Sequence, residues 1–138
     1  MTNWGILGLG FIANKFVDAI KEVPGNKLIG VASLTKKKSD EIIKKYGINK
    51  EHYYNNYEDL INSSEIDAIY IATLNNTHAD LIEKCAIAQK KILCEKPMCL
   101  NLDEAKKIYA YLQNSRIFFV EGFAYRSHEQ TTELCNII

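Results

Sequence analysis

Residues Trp4–Ala13 read WGILGLGFIA, an apolar run that changes into a Gly-x-Gly-x-x-Ala pattern. Gly8 would permit a tight turn between a buried strand and a helix, and Gly10 would let the backbone approach a phosphate without an intervening side chain. Ala13 would let the helix pack close to the strand. The pattern predicts a turn that receives a dinucleotide pyrophosphate at a helix N-terminus, although an ordinary strand-turn-helix junction has the same pattern.

Composition favours one domain and excludes several classes of partner. The 138 residues are 47% hydrophobic, and 17 basic side chains balance 17 acidic ones. No net field therefore points to nucleic acid. No apolar run reaches the length of a membrane helix, and the N-terminal run lacks a basic lead-in. The four cysteines form no Cys-x-x-Cys pair and have no matching histidine cluster, so we expect neither a metal site nor a disulfide framework. Cysteines of this kind are typical of a reducing cytoplasm, which we expect for this protein.

Apolar runs that alternate with helical patterns predict an α/β fold. A strand over 3–8 and a helix over 12–21 come first, followed by strands at 27–34, 52–54, 66–72, 92–94 and 116–123 and helices at 37–46, 57–61, 77–89 and 102–113. Six strands with intervening helices predict a doubly wound, mostly parallel sheet, a Rossmann fold, with helices on both faces. Ligands in such sheets bind outside the carboxyl ends of the strands. The loops after four strands should therefore meet at one crevice.

Three of those loops carry a recognisable set of residues. They are Gly8–Ala13, the segment IATLNNTH at residues 71–78, and the segment CEKP at residues 94–97. In this order and spacing they resemble the N-terminal domain of the Gfo/Idh/MocA oxidoreductases, the family of glucose-fructose oxidoreductase and inositol dehydrogenase. The resemblance covers nearly the whole chain. It implies that Phe11 and Ile12 join Gly8 and Gly10 as cofactor contacts.

Lys96 is the candidate catalytic residue. A lysine at the mouth of a nicotinamide crevice can hydrogen-bond a substrate hydroxyl or carbonyl and stabilise charge on oxygen as hydride moves. The resemblance implies a catalytic lysine at Lys96, a cofactor contact by Glu95, Lys96 and Pro97, and a cis peptide before Pro97. Glu95 could fix the lysine by an ion pair or be an ordinary loop residue. By itself, the pattern also fits a solvated lysine before a turn proline.

The loop after the fourth strand matches the family segment that passes along the cofactor phosphates and the nicotinamide ribose. The predicted contacts are Thr73, Leu74, Asn75, Asn76 and His78. Leu74 replaces the proline usual in the family, and Thr77 could cap the next helix. An ordinary strand-to-helix turn would also contain asparagines, and His78 is as well explained by packing as by ligand contact.

Cofactor choice depends on the end of the second strand, where NAD enzymes usually carry an acid for the adenosine ribose. This chain has Ser33, Leu34 and Thr35 there, followed by Lys36 and Lys37. Because no acid is present and Ser33 with Lys36 or Lys37 could bind a ribose phosphate, we expect NADP or NAD with a preference for NADP. Leu34, where the family has arginine, weakens that preference. Tyr53, Tyr54 and Tyr57 are better explained by packing than by adenine stacking.

The resemblance also implies what the chain lacks. Family members continue into a second domain that supplies substrate contacts and the catalytic acid or base, whereas this chain stops at Ile138. We expect a dinucleotide-binding domain over 1–125, and in 126–138 either the start of that second domain or a tail. The expected function is hydride transfer to or from a sugar, cyclitol or similar polyhydroxy substrate in a complete enzyme. The alternatives are a non-catalytic dinucleotide-binding module and a structural remnant without ligand. Association with a second copy is compatible with the composition.

Overall fold

In the computed structural model of the chain, the described residues are the backbone of 1–138 and the side chains of 1–35 and 40–138. Within the described backbone, six strands form one sheet. They are β1 (Thr2–Leu7), β2 (Asn26–Ala32), β3 (Tyr53–Tyr54), β4 (Ala68–Ile71), β5 (Lys91–Cys94) and β6 (Phe119–Glu121). Every pair is parallel, and the order is β3-β2-β1-β4-β5-β6. The predicted doubly wound parallel sheet is confirmed.

Helices connect the strands and cover the two faces of the sheet. They are α1 (Phe11–Ile20), α2 (Lys36–Tyr46), α3 (Tyr57–Asn62), α4 (His78–Ile87), α5 (Leu102–Ser115) and α6 (Glu129–Ile137). Short 3-10 turns lie at Lys50–His52, Asn75–Thr77 and Ala124–Ser127. None of the helices formed by the described residues has the length and apolar content needed to cross a membrane.

Two apolar clusters hold these layers together because successive strand side chains point to opposite faces. Ile6 of β1 and Tyr70 of β4 pack with Ala13 and Val17 of α1 on one face. On the other face, the cluster includes Leu7, Ile69 and Ile71 from the strands, Leu60 from α3, Leu81, Ile82 and Cys85 from α4, and Ile108 from α5. Burial of both faces explains why β1 and β4 are nearly continuous apolar runs.

Helix ends follow local chemistry recognisable in the sequence. Asn56 accepts a hydrogen bond from Asp59 N–H, and Asn101 accepts one from Glu104 N–H, so each caps a helix. Gly47 ends α2 with φ 66°, the left-handed conformation that glycine adopts readily. Gln89 adopts φ 57° after α4. A side chain therefore occupies a left-handed position that disfavours it.

β4 and β6 depart most in length from their predicted ranges, 66–72 and 116–123, and both are shorter. Ile66 is buried against the core before the ladder begins, and β4 starts only at Ala68. Arg116 ends α5 in a left-handed conformation, with its N–H donating to Leu112 O over 3.1 Å. Residues 116–118 therefore lead from the helix to β6 instead of belonging to it.

Candidate functional site

The carboxyl ends of neighbouring strands are held level by single backbone hydrogen bonds. In each bond, the N–H of the residue that follows one strand donates to the carbonyl oxygen of the last residue of the adjacent strand over 2.7–2.9 Å. The pairs, donor first, are Gly8 to Ala32, Ala72 to Leu7, Glu95 to Ile71 and Gly122 to Cys94. The strand order reverses between β1 and β4, which is where a doubly wound sheet opens a ligand crevice. The Gly8 turn and the loop after Ala72 border that crevice.

Gly8 and Gly10 meet different structural demands. Gly8 has φ 85°, and a Cβ there would lie 2.6 Å from Ala72 O. Gly10 precedes α1 at its N-cap position, where φ is −82° and a Cβ would meet nothing within 4 Å. Neither a side-chain cap nor an acidic residue occupies the first turn of α1. The N-terminus of α1 therefore has free space and backbone N–H groups that an anionic group can use.

A crevice of about 350 Å³ lies at this switch point. Its lining consists of Gly8, Leu9, Gly10, Ser33, Leu34, Thr35, Tyr57, Ala72, Thr73, Leu74 and Thr77. Loops separated widely in the sequence thus meet, and five predicted cofactor contacts lie together: Gly8, Gly10, Ser33, Thr73 and Leu74. The volume lies within the range of small-molecule sites. Open space at Gly10 and an uncapped helix above the crevice fit a dinucleotide phosphate.

Other predicted contacts lie around the crevice and outside its lining. Phe11 and Ile12 are exposed at the start of α1 and line two neighbouring grooves. Asn75 and Asn76 are exposed in the 3-10 turn before α4, where Asn76 faces a groove between α4 and α5. The side chains of Lys36 and Lys37 lie outside the described residues.

Sequence reasoning assigned Tyr57 to packing, and the structure gives it two roles. Its ring packs against the core cluster on the α3 side of the sheet, yet the residue also lines the crevice. Burial raises the pKa of its phenol, so the hydroxyl keeps its proton in the physiological range. An aromatic residue three positions before a buried leucine is a common helix pattern, so the sequence offered no signal for this second role.

Ser33 turns its hydroxyl back towards its own loop. The Oγ accepts from Thr35 N–H over 3.1 Å, and the residue is 6% exposed. Tyr53 contributes a second contact, since its hydroxyl donates to Ser33 O over 3.4 Å. The end of β2 is therefore an ordered turn that borders the crevice without a carboxylate.

Glu95 is tied to the neighbouring strand and not to Lys96. The Tyr70 hydroxyl donates to Glu95 Oε1 over 2.7 Å. Burial first, and then the hydrogen bond and negative charge of Glu95, raise the pKa of the Tyr70 phenol, which stays protonated as the donor. The ion pair with Lys96 considered from sequence does not form. Among the described side chains, Lys96 has no ion-pair partner, and it is exposed.

The loop after β5 is shaped by backbone contacts around Pro97. The Lys96–Pro97 peptide bond is cis, as the resemblance implied. Met98 N–H donates to Glu121 Oε1 over 2.8 Å, which ties the loop to β6. His78 Nδ1 lies 2.8 Å from Pro97 O. The ammonium of Lys96 thus extends to solvent from a loop whose backbone is fixed on both sides.

Thr77 and His78 differ from their sequence expectations. Thr77 occupies the N-cap position of α4, but its hydroxyl donates to Leu74 O over 2.7 Å instead of capping a helix N–H. His78 is fully buried, so its ring does not reach the crevice surface. Its Nε2 lies 3.3 Å from Thr73 O.

The buried thiols near the site are not nucleophiles. Burial, followed by the charges of Glu121 and Glu95, raises the pKa of Cys94, and burial raises that of Cys85 to about 12. A protonated thiol is a weak nucleophile. All four cysteines are free. The described residues contain no group of three or more metal-ligating side chains.

The chain is similar in sequence to known oxidoreductases. Residues 2–123 match the model of the GFO_IDH_MocA family, described as an oxidoreductase family with an NAD-binding Rossmann fold. A trans-1,2-dihydrobenzene-1,2-diol dehydrogenase of Xenopus tropicalis is 31% identical over 124 residues, covering 88% of this chain and 37% of the relative. A D-xylose 1-dehydrogenase (NADP(+)) 2 of Haloferax volcanii is 28% identical over 135 residues, covering 98% and 41%.

A solved structure extends the likeness of fold to nearly the whole chain. KijD10, a 3-ketoreductase from Actinomadura kijaniata crystallised with NADP and TDP-benzene, superposes with a TM-score of 0.89 at 21% identity. The match covers 99% of this chain and 41% of KijD10. The chain thus spans about two fifths of the length of these relatives.

Proposed function

Because the chain belongs to the Gfo/Idh/MocA oxidoreductase family, we propose that residues 1–125 form the cofactor domain of a dehydrogenase acting on a sugar, cyclitol or similar polyhydroxy compound. The observation that carries the proposal is the open space at Gly10, between the uncapped N-terminus of α1 and the crevice at the sheet switch point. Backbone N–H groups and the helix dipole stabilise a pyrophosphate at such a place.

Different residues around the crevice contact different parts of the cofactor and substrate. Gly8 forms the tight turn, Gly10 lets the backbone approach the phosphates, and Ser33 borders the adenosine end. Thr73, Leu74, Asn75 and Asn76 follow β4 on the side towards the Lys96 loop. The bound nicotinamide supplies the hydride donor or acceptor. Lys96 hydrogen-bonds the substrate oxygen and stabilises its charge. Residues 126–138 begin a substrate domain or form a tail, and a partner or second copy would supply further substrate contacts.

We expect the purified chain to bind NADPH more tightly than NADH. The end of β2 presents Ser33, Leu34 and Thr35 and no carboxylate, so no acidic side chain there repels a 2′-phosphate or accepts from both hydroxyls of a ribose diol. Titration calorimetry with each cofactor measures both dissociation constants. A clear preference for NADH would contradict the NADP assignment, and binding of neither cofactor would contradict the proposed function.

In the chain extended by, or reconstituted with, a substrate domain, Lys96→Ala should lower turnover by about 100-fold while changing cofactor affinity by less than about 3-fold, because the ammonium stabilises charge that develops during hydride transfer. The measurement is NADPH formation or consumption with a panel of sugars, cyclitols and vicinal diols. Lys91→Ala is the matched control, since Lys91 is an exposed lysine at the other end of β5. Full turnover by Lys96→Ala would rule out the catalytic assignment.

A non-catalytic dinucleotide-binding module is the second candidate. It is favoured by the lining of the crevice, which brings together predicted cofactor contacts but does not include Lys96. Tight cofactor binding without turnover of any panel compound would support it. The reducing, cytoplasmic setting remains a prediction that is compatible with four free cysteines.

A further inference from the structure

His78 is the first residue of α4 and is fully buried, with no exposed surface. Burial of an imidazole is costly unless its ring nitrogens find hydrogen-bond partners. Each ring nitrogen faces one carbonyl oxygen: Nδ1 lies 2.8 Å from Pro97 O and Nε2 lies 3.3 Å from Thr73 O. Pro97 and Thr73 belong to two different loops. One imidazole therefore contacts both loops from below the surface.

The chemistry of the two partners determines which nitrogen carries the proton. Carbonyl oxygens only accept hydrogen bonds, whereas a neutral imidazole has a single N–H. The Pro97 contact is the shorter by half an ångström. The ring therefore carries a proton on Nδ1, which donates to Pro97 O. The link from α4 to the loop after β5 is the stronger of the two.

This link joins a loop that lines the crevice to the loop that carries Lys96. Thr73 lines the crevice beside Gly8 and Gly10, and Pro97 directly follows Lys96. Thr73 Oγ1 is itself held 2.7 Å from Thr77 Oγ1, immediately before His78. The loop after β4 is thus held in place by its own contacts. The contact between His78 and Pro97 O in turn holds the Lys96–Pro97 loop against it.

We propose that His78 is a positioning residue that fastens the Lys96–Pro97 loop to the loop after β4. This inference rests on the proposed function, because it assigns the nicotinamide end of the cofactor to the fastened loop. Without the Nδ1 contact, the adenosine half of the site keeps its shape, while the Lys96–Pro97 loop loses a hydrogen bond that orders it. His78 acts through Pro97 and touches neither cofactor nor substrate.

Three substitutions separate the two contacts of the ring. The side-chain amide nitrogen of asparagine lies near the position of Nδ1, and that of glutamine lies near the position of Nε2. His78→Asn therefore keeps a donor for Pro97 O, whereas His78→Gln keeps one only for Thr73 O, and His78→Leu keeps neither. Ile82→Ala is the control for lost stability alone, since Ile82 is fully buried on the same helix.

The experiment compares each variant's affinity for a whole dinucleotide and for its adenosine part. The probes are NADPH with 2′-phospho-ADP-ribose, and NADH with ADP-ribose. We expect His78→Leu and His78→Gln to weaken dinucleotide binding by about 10-fold and fragment binding by less than about 2-fold. His78→Asn should restore dinucleotide affinity to within about 3-fold of wild type. Ile82→Ala should lower the unfolding midpoint without changing the ratio of the two affinities.

A ¹⁵N spectrum of the imidazole supplies a readout that does not depend on cofactor. It should show a protonated Nδ1 in the wild-type chain. An unprotonated Nδ1, equal losses of dinucleotide and fragment affinity in His78→Leu, or no loss in either would each overturn the inference. If the wild-type chain binds no dinucleotide, the proposed function fails together with the role of this contact, while the spectrum still shows whether the contact exists.

Discussion

Gly8→Ala should lower the free energy of unfolding by about 2–4 kcal/mol, because two costs coincide. The backbone has φ 85°, which disfavours any side chain, and the new Cβ would lie 2.6 Å from Ala72 O. That oxygen belongs to backbone and cannot rotate away. Ala72 is also held by its own N–H bond to Leu7 O. Urea unfolding followed by circular dichroism measures the change.

Gly10→Asp should have the opposite effect on stability and a large effect on binding. A Cβ at Gly10 meets nothing within 4 Å, and φ of −82° suits any residue. Aspartate is a preferred N-cap and its charge favours the N-terminus of α1, so we expect a gain of about 0.5–1 kcal/mol. The same carboxylate would repel the pyrophosphate, and the cofactor dissociation constant should rise by about 100-fold.

Gly10→Asn separates charge from shape in this comparison. Asparagine caps a helix about as well as aspartate and has nearly the same size, but it carries no charge. We expect its effect on stability to resemble that of aspartate, and its effect on cofactor affinity to be the smaller of the two. Wild-type affinity in Gly10→Asp would show that the phosphates do not bind at the N-terminus of α1.

The free energy of unfolding should fall steeply above pH 9, by about 4 kcal/mol between pH 7 and pH 10.5. Cys85 and Cys94 are fully buried, and burial raises the pKa of Cys85 from 9.0 to about 12 and that of Cys94 as well. Unfolded thiols release their protons near pH 9, whereas the folded ones retain them. The unfolded state therefore binds fewer protons in this window, so rising pH favours unfolding.

Urea titrations at pH 7, 9 and 10.5 under reducing conditions test this dependence. Cys85→Ala should remove about half of the decrease, whatever it does to stability at pH 7, because one of the two buried thiols is absent. Cys135→Ala is the control, since that cysteine is exposed on α6. An unchanged decrease in Cys85→Ala would contradict the assignment of the pH dependence to the buried thiols.

Several elements could be predicted because their causes are local. The glycine spacing after β1 specifies a turn followed by a helix, and Asn101 caps the helix that follows it. Alternating helices and apolar strands were enough to predict a parallel, doubly wound sheet, because right-handed crossovers leave few other topologies. The same rule predicted one crevice bordered by the loops after β1, β2, β4 and β5. The loops after β1, β2 and β4 line it, whereas the loop after β5 lies outside its lining.

Side-chain partners in the site could not be predicted in the same way. Tyr70 reaches Glu95 across 25 positions, and His78 reaches Pro97 across 19. Each contact depends on the register between β4, β5 and α4 and on which face of an element a residue occupies. A shift of one residue in a strand moves its side chains to the opposite face, so spacing alone leaves these pairs undetermined.

The order and type of the strands and of helices α1 to α5, the glycine turn and the edge of the sheet at which a cofactor is expected all follow from the sequence, since backbone propensities and crossover handedness act over short stretches. Helix α6 at Glu129–Ile137 was not predicted. The assembled fold was needed to show that Gly8 is required by the turn while Gly10 is open to a ligand. It was also needed to show that Glu95 pairs with Tyr70, that Lys96 has no ion-pair partner among the described side chains, and that His78 is buried between two loops. These outcomes arise from distances between segments that meet only when the sheet is assembled.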